Sequence, residues 1–149
     1  MTVRVYIPGP ATPERKRQVH RGSFTRRVDT PQAADYKAHV KACVAGVMAG
    51  RPPLEGPLGG RMTVWRLKPQ SWPKRRQEPD VKPDLSNVLK IVEDACNKLL
   101  WRDDAQVCYL TMRKRFGVTE GVGLAVWPIL PGQPAECEPE GDDDHDGAA

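Results

Sequence analysis

The chain has 149 residues, with 23 lysines and arginines against 19 aspartates and glutamates, a formal charge of +4. That length fits one domain with a modest core and argues against a multidomain enzyme with a separate nucleotide-binding module, so no nucleotide cofactor is expected. The charge is segregated: residues 131–149 hold seven acids (Glu136, Glu138, Glu140, Asp142, Asp143, Asp144, Asp146) and no base, which leaves 23 bases against 12 acids, a formal +11, on residues 1–130.

A body this basic points to an anionic partner, of which nucleic acid is the commonest. The start, MTVRVYIPGP, lacks the long apolar region of a secretory signal, and no stretch approaches the roughly 18 apolar residues of a membrane span. A soluble, cytoplasmic protein with no membrane partner is therefore expected. Four cysteines (Cys43, Cys96, Cys108, Cys137) show no C-x-x-C spacing, which supports neither a zinc ribbon nor a dense disulfide framework and predicts reduced, mostly buried thiols.

Val3 to Ile7 alternates apolar and polar residues of β-favouring types and is closed by Pro8-Gly9-Pro10, which predicts a short strand running into a turn. Arg15 to Arg27 holds six bases (Arg15, Lys16, Arg17, Arg21, Arg26, Arg27) and no acid, with Gly22 as a turn and Phe24 beside it, and reads as a basic hairpin or loop. From Pro31 to Gly50, apolar residues at helical spacing (Ala34, Val40, Val44, Val47, Met48) predict a helix, with Pro31 suited to its first turn and Gly50 to its end. A Pro/Gly connector from Pro52 to Gly60 leads into strand-like Met62 to Leu67. Pro69 to Pro83 carries four prolines and the run Lys74-Arg75-Arg76, and is expected to be a mobile basic loop. Asp84 to Leu100 is the clearest helix, and Gln106 to Phe116 and Gly123 to Ile129 read as two strands joined through Gly117 to Gly121. The expected organisation is one domain over residues 1–130 and a disordered acidic tail over 131–149, with no internal repeat.

At 100° per residue, Leu85, Val88, Leu89, Val92, Ala95, Cys96 and Leu99 share one side of the Asp84 to Leu100 helix, its core face. Asn87, Lys90 and Asp94 cluster on the flank of that face, Asp84 stands at the helix start, and Asp103-Asp104 follows its end. Each has an ordinary explanation. Asp84 is a favoured N-cap, Lys90 and Asp94 at i, i+4 make a surface ion pair worth well under ~1 kcal/mol, and Asp103-Asp104 suits a solvated turn. In combination, several acids kept beside a basic loop suggest that a cation neutralises them. Mg²⁺ fits, since it binds through one or two carboxylates, phosphate oxygens and retained waters. If the strand after Asp104 returns beside the helix, the two carboxylate groups lie near each other.

The segment Lys82-Pro83-Asp84-Leu85-Ser86-Asn87-Val88-Leu89-Lys90, followed by Glu93-Asp94-Ala95, Asn97 and Trp101-Arg102-Asp103-Asp104-Ala105-Gln106-Val107, resembles the RusA family of Holliday junction resolvases. The shared features are an Asp-x-x-Asn-x-x-Lys helix start (Asp84, Asn87, Lys90), a following Asp-Ala and an Asp-Asp-x-Gln. Weaker similarity, at Tyr36, Gly56-Pro57-Leu58 and Ser71-Trp72, extends it over residues 3 to 128. The resemblance implies a small α/β (α+β) domain with a mixed sheet and two main helices packed on it. It also implies a homodimer that binds four-way DNA junctions in recombination and repair and cuts opposed strands with Mg²⁺, or Mn²⁺ as a substitute. Small stand-alone members are often encoded by phages or prophages. The family's essential carboxylates fall on Asp84 and Asp104 and its essential lysine on Lys90. Its second helix-start aspartate corresponds here to Ser86, a far poorer Mg²⁺ ligand, which would leave more waters on the ion or shift the load to Asp103 or Asp94.

On this reading Asp84 and Asp104, with Asp103, hold the metal, Lys90 supplies positive charge to the phosphate or the leaving oxygen, and Asn87 orients a ligand or caps the helix. Arg15, Lys16, Arg17, Arg21, Arg26, Arg27, Lys74, Arg75, Arg76, Arg113, Lys114 and Arg115 would contact phosphates without reading sequence. Trp72 and Phe24 would either stack in an open junction centre or pack in the ordinary way. The competing readings are a non-cleaving junction- or nucleic-acid-binding protein in which Ser86 marks lost chemistry, and an RNA-associated structural protein. The tail would act as a polyanion that competes with DNA for the basic loops.

Overall fold

Val3, Val5 and Ile7 point into the core while Arg4, Tyr6 and Pro8 point out, the period-two alternation of a half-buried strand. The computed structural model of the chain describes residues 1–138. This first strand, β1 (Val3–Pro8), is followed by a ribbon of β2 (Lys16–Arg21) and β3 (Phe24–Asp29), helix α1 (Pro31–Met48), β4 (Leu58–Leu67), helix α2 (Leu85–Cys96), a 3₁₀ turn (Asp104–Gln106), β5 (Val107–Gly117) and β6 (Gly121–Pro128). The main sheet has the order β1-β6-β4-β5, with β4 and β5 parallel and the other pairs antiparallel. It is the small mixed sheet with two main helices that the family resemblance implies, and β2–β3 forms a separate two-stranded sheet.

Helix α1 starts at Thr30, whose hydroxyl accepts from the Ala33 N–H at 3.4 Å, takes Pro31 in its first turn, and ends through left-handed Ala49 and Gly50. It buries Ala33, Tyr36, Val40, Val44 and Met48, while the expected Ala34 and Val47 are exposed. The stripe is set by Tyr36, whose ring needs cover that a run of small residues does not. Helix α2 buries Val88, Ile91, Val92, Ala95 and Cys96, with Leu85 and Leu89 at the margin; it ends at Cys96, short of the expected Leu100, and Leu99 packs on the core from the turn that follows. A parallel β4–β5 pair requires a crossover, and α2 with the segment before it provides one. The consequence is that α2 runs antiparallel to β5. The short Gly117 to Gly121 connection joins strands that are not neighbours, because β4 lies between them.

The proline-rich segment before α2 is pinned against the edge strand β5 rather than left free. Lys114 Nζ donates to the carbonyls of Val81 (2.5 Å) and Pro83 (3.2 Å), and Lys68 Nζ to those of Arg76 (2.5 Å) and Lys74 (3.2 Å). Trp72 meets Phe116 edge to face at 5.6 Å, with the Arg76 guanidinium 3.5 Å above its ring and Asp80 paired to Arg76. Four prolines already restrict this backbone, so a few anchors hold it, and the exposed sheet edge is covered.

The sheet face away from the helices is crossed by the chain after β6: Ile129 N donates to Pro57 O (2.9 Å), Trp127 Nε1 to Ala135 O (3.2 Å), and Glu138 pairs with Arg4 (2.5 Å) and Arg61 (3.0 Å). Of the tail expected over 131–149, residues 131–138 make these contacts, and residues 139–149 lie outside the described residues. No helix among the described residues is long and apolar enough to cross a membrane. All four cysteines are free; Cys96 is buried and Cys43 half-buried, but Cys108 and Cys137 are exposed, so the expectation of mostly buried thiols holds for two.

Candidate active site

Asp84 occupies the N-cap position of α2 with extended backbone (φ −72°, ψ 136°), yet its carboxylate makes no capping bond. Its two oxygens instead accept from Lys82 Nζ at 2.9 and 2.8 Å, and one accepts from Asn87 Nδ2 at 3.3 Å. The Lys82 ammonium, helped by the charge of Lys114, holds the Asp84 carboxyl below the usual carboxylate range. Asp84 is 47% exposed and Lys82 82%, so the pair faces solvent and the lysine is free to swing away.

The carboxylate opens onto a pocket of about 330 Å³ lined by Ala11, Pro13, Glu14, Arg15, Lys82, Pro83, Asp84 and Asn87. Two chain segments build it: Glu14 N donates to Asn87 O at 2.9 Å, which ties the approach to β2 onto the first turn of α2. Glu14 therefore joins Asp84 as a second carboxylate at this pocket, its Oε1 paired with Lys16 at 3.2 Å. Sequence reasoning passed over it. The available signal was that Glu14 is the sole acid among the first 28 residues, at the lip of the six-base run. Ser86 is exposed on the first turn, and Lys90, one turn further, is exposed and makes no hydrogen bond or ion pair among the described residues. Asp94 pairs with Lys37 of α1 at 3.4 Å, not with Lys90.

Asp103 and Asp104 stand at the other end of α2. Asp103 caps the 3₁₀ turn, accepting from Ala105 N at 2.9 Å within a capping box completed by Gln106. Gln106 Oε1 accepts from the N–H groups of Arg102 (2.8 Å) and Asp103 (3.1 Å), and its Nε2 donates to the carbonyls of Leu54 and Gly56. The Ala105 N–H holds the Asp103 carboxyl low, while Asp104 is pushed up, first by the hydrogen bond it shares with Asp103 and then by partial burial and Asp94. Half-buried Glu93 is raised by desolvation and by the charges of Asp104 and Asp94. Glu93 and Asp104 are thus both raised by acids around them at this end.

A 12-residue helix is about 18 Å long, so one chain does not bring Asp84 and Asp104 together. Strand β5 does return beside α2, but antiparallel to it. Its start, after Asp104, meets the C-terminal end of the helix, and its end, at Lys114, meets the segment leading into Asp84. No three His, Cys, Asp or Glu side chains converge as a metal site among the described residues.

The bases divide by use. Arg15, Arg17, Arg21, Arg26 and Arg27 are exposed and form no ion pairs among the described residues, as are and do Lys74 and Arg75. Lys16 pairs with Glu14 and Asp29, Arg76 with Asp80, and Arg113 with Glu78, while Lys114 holds the loop and Arg115 is half-buried. Trp72 packs on Phe116 and under Arg76, the ordinary alternative for that ring, whereas Phe24 stands out at the ribbon tip.

Fold and site together define a mixed α+β domain with a carboxylate turned into an open pocket at the foot of a basic ribbon. The family model described as Endodeoxyribonuclease RusA matches residues 8–126, and the chain belongs to the RusA family. It is also similar to the uncharacterized protein YqaN of Bacillus subtilis (strain 168), 32% identical over 94 residues. That match spans 56% of this chain and 66% of the relative's length, just under two thirds.

Proposed function

We propose that the protein is a Mg²⁺-dependent endonuclease that hydrolyses phosphodiester bonds at four-way DNA junctions, acting as a homodimer in recombination or repair. The observation that carries this reading is the Asp84 carboxylate, turned from its own helix into an open pocket beside arginines without ion pairs among the described residues. Family membership supplies the reaction class. The donor set fits the metal in kind: the carboxylates of Asp84 and Glu14 and the side-chain oxygen of Asn87 are hard oxygen donors on one pocket, and Mg²⁺ takes one or two carboxylates beside phosphate oxygens and waters. Mn²⁺ would substitute. The bound cation supplies charge neutralisation at the phosphate and a water of lowered pKa.

The chain's own residues do the remainder. Asn87 orients the Asp84 carboxylate, Lys82 neutralises it until a cation replaces the ammonium, and Glu14 stands in for the aspartate that Ser86 lacks. Lys90, exposed on the same flank of α2, places a positive charge toward the leaving oxygen. Because Asp84 and Asp104 lie at opposite ends of α2, a two-carboxylate centre that uses both takes Asp84 from one protomer and Asp104 of the partner subunit, with Asp103 and Asp94 behind it. A C2 pair built this way has two equivalent centres, matched to the two cuts a symmetric junction requires.

The test is incubation of purified protein with a synthetic four-way junction and a duplex control in Mg²⁺ and in Mn²⁺. Paired nicks in opposed strands of the junction, absent from the duplex, are expected. Binding without nicking in either metal would favour the second reading, a non-cleaving junction-binding protein, for which exposed, neutral Ser86 is the specific observation.

A further inference from the structure

The ribbon β2–β3 projects from the Asp84 pocket. Glu14 and Arg15 line that pocket, Arg15 O accepts from Thr30 N at 2.9 Å, and Lys16 pairs with Asp29 at 3.0 Å, so the foot of the ribbon is fixed there. Facing residues share a side in an antiparallel pair, which puts Arg17, Val19 and Arg21 on one face with Phe24, Arg26 and Val28. Gly22, at φ 58°, lets the chain reverse between Arg21 and Phe24 with only Gly22 and Ser23 in the turn. From the Lys16–Asp29 pair to the Arg21–Phe24 pair is five residue steps, about 17 Å of strand.

Phe24 is 79% exposed, more than any other large apolar side chain among the described residues. A single exposed ring on a surface needs no explanation by itself. This one shares its face with three arginines that have no ion pairs among the described residues, on an arm whose own acid, Asp29, is already occupied by Lys16 and Lys37. A ring set among cations suits a base with its phosphates, and a two-stranded ribbon is narrow enough to enter the major groove. In intact duplex an inserted ring must first unstack a base step, which offsets what stacking gains. At a branch point the bases are already open, so the gain is kept.

Building on the nuclease reading above, we propose that Phe24 is the residue by which the protein distinguishes branched from linear DNA. It stacks on a base left unstacked at the branch, while Arg17, Arg21 and Arg26 hold the flanking phosphates. At about 3.4 Å per nucleotide, the ribbon places that base within about five nucleotides of the phosphate at the Asp84 pocket.

The experiment titrates the full-length protein, in EDTA to prevent cutting, into a four-way junction carrying 2-aminopurine at its centre and into a linear duplex at the same salt. Wild type is expected to prefer the junction and to change the 2-aminopurine fluorescence. Phe24→Ala should cut the junction-over-duplex preference roughly tenfold and abolish the fluorescence change, and Phe24→Trp should keep both, with circular dichroism confirming that each variant is folded. If Phe24→Ala matches wild type in preference and fluorescence, the inference falls and the nuclease reading stands. A loss that Phe24→Trp does not restore also contradicts stacking. If wild type itself shows no preference for the junction, both fall together.

Discussion

Asp84 stands where a helix ordinarily receives its cap and gives its carboxylate to Lys82, Asn87 and the pocket instead. Its helix forgoes a contact worth about 1 kcal/mol, and the carboxylate is left available to a cation. Asp84→Asn should therefore lower single-turnover junction cleavage about a hundredfold or more while junction binding persists. The pH dependence follows from the neighbours. Lys82 holds the Asp84 carboxyl low, so the folded state favours its ionised form, and the stability this adds is lost as pH falls through the folded pKa. In metal-free protein, Lys82→Met should move the Asp84 carboxyl titration upward, as followed by carboxyl-carbon NMR; an unmoved titration would show that Lys82 is not its counter-ion. Asp104 has the opposite sign. Its carboxyl is raised by the neighbouring Asp103 carboxyl and by partial burial, so the stability its protonated form adds is lost as pH rises through its folded pKa. Asp103→Asn preserves an oxygen for the Ala105 cap and should bring the Asp104 titration down.

At the scale of elements, α2 and the strands around it were legible because their apolar residues keep the periods of helix and strand; the helix start with Asn87, Lys90 and Asp94 on one flank was legible for the same reason. The direction of β5 was not. Nothing in the residues from Cys96 to Val107 states that the strand comes back antiparallel to the helix, and that reversal separates Asp104 from Asp84. Glu14 was missed because its approach to Asn87 is a backbone contact between segments more than 70 positions apart. Asp103, a candidate ligand by its residue type, also caps the turn through the N–H two residues on, a contact its type alone does not announce. The prolines before α2 suggested mobility, but Trp72 and Lys114 give the segment anchors whose partners are remote in sequence. Gln106 shows how much a motif residue can owe to structure. Gln106→Ala removes the two bonds it donates to the carbonyls of Leu54 and Gly56 and the two it accepts from the N–H groups of Arg102 and Asp103, and should cost about 2 kcal/mol in urea unfolding, against which an unchanged midpoint would count.

Over the whole molecule, the formal +4 separates into a basic body and an acidic end that meets it through Glu138, Arg4 and Arg61. Because residues 131–138 pack on the sheet, truncation after Glu138 is the clean way to remove the five acids beyond it. That truncation should raise affinity for random duplex at low salt, and the gain should shrink toward about 1 M salt, where the screening length falls to about 3 Å. The more consequential whole-molecule feature is that each chain holds carboxylates at both ends of α2, with the basic ribbon at one of them. In the proposed homodimer, two copies related by a two-fold axis would turn those separate ends into a pair of complete centres. The direct measurement is cleavage of a synthetic four-way junction by mixed dimers of Asp84→Asn and Asp104→Asn chains. Each variant alone should be inactive, and the mixed dimer should nick one strand of the junction, because one of its two centres then holds both native carboxylates. A mixed dimer as inactive as its parents, or undiminished cutting by Asp84→Asn alone, would contradict it.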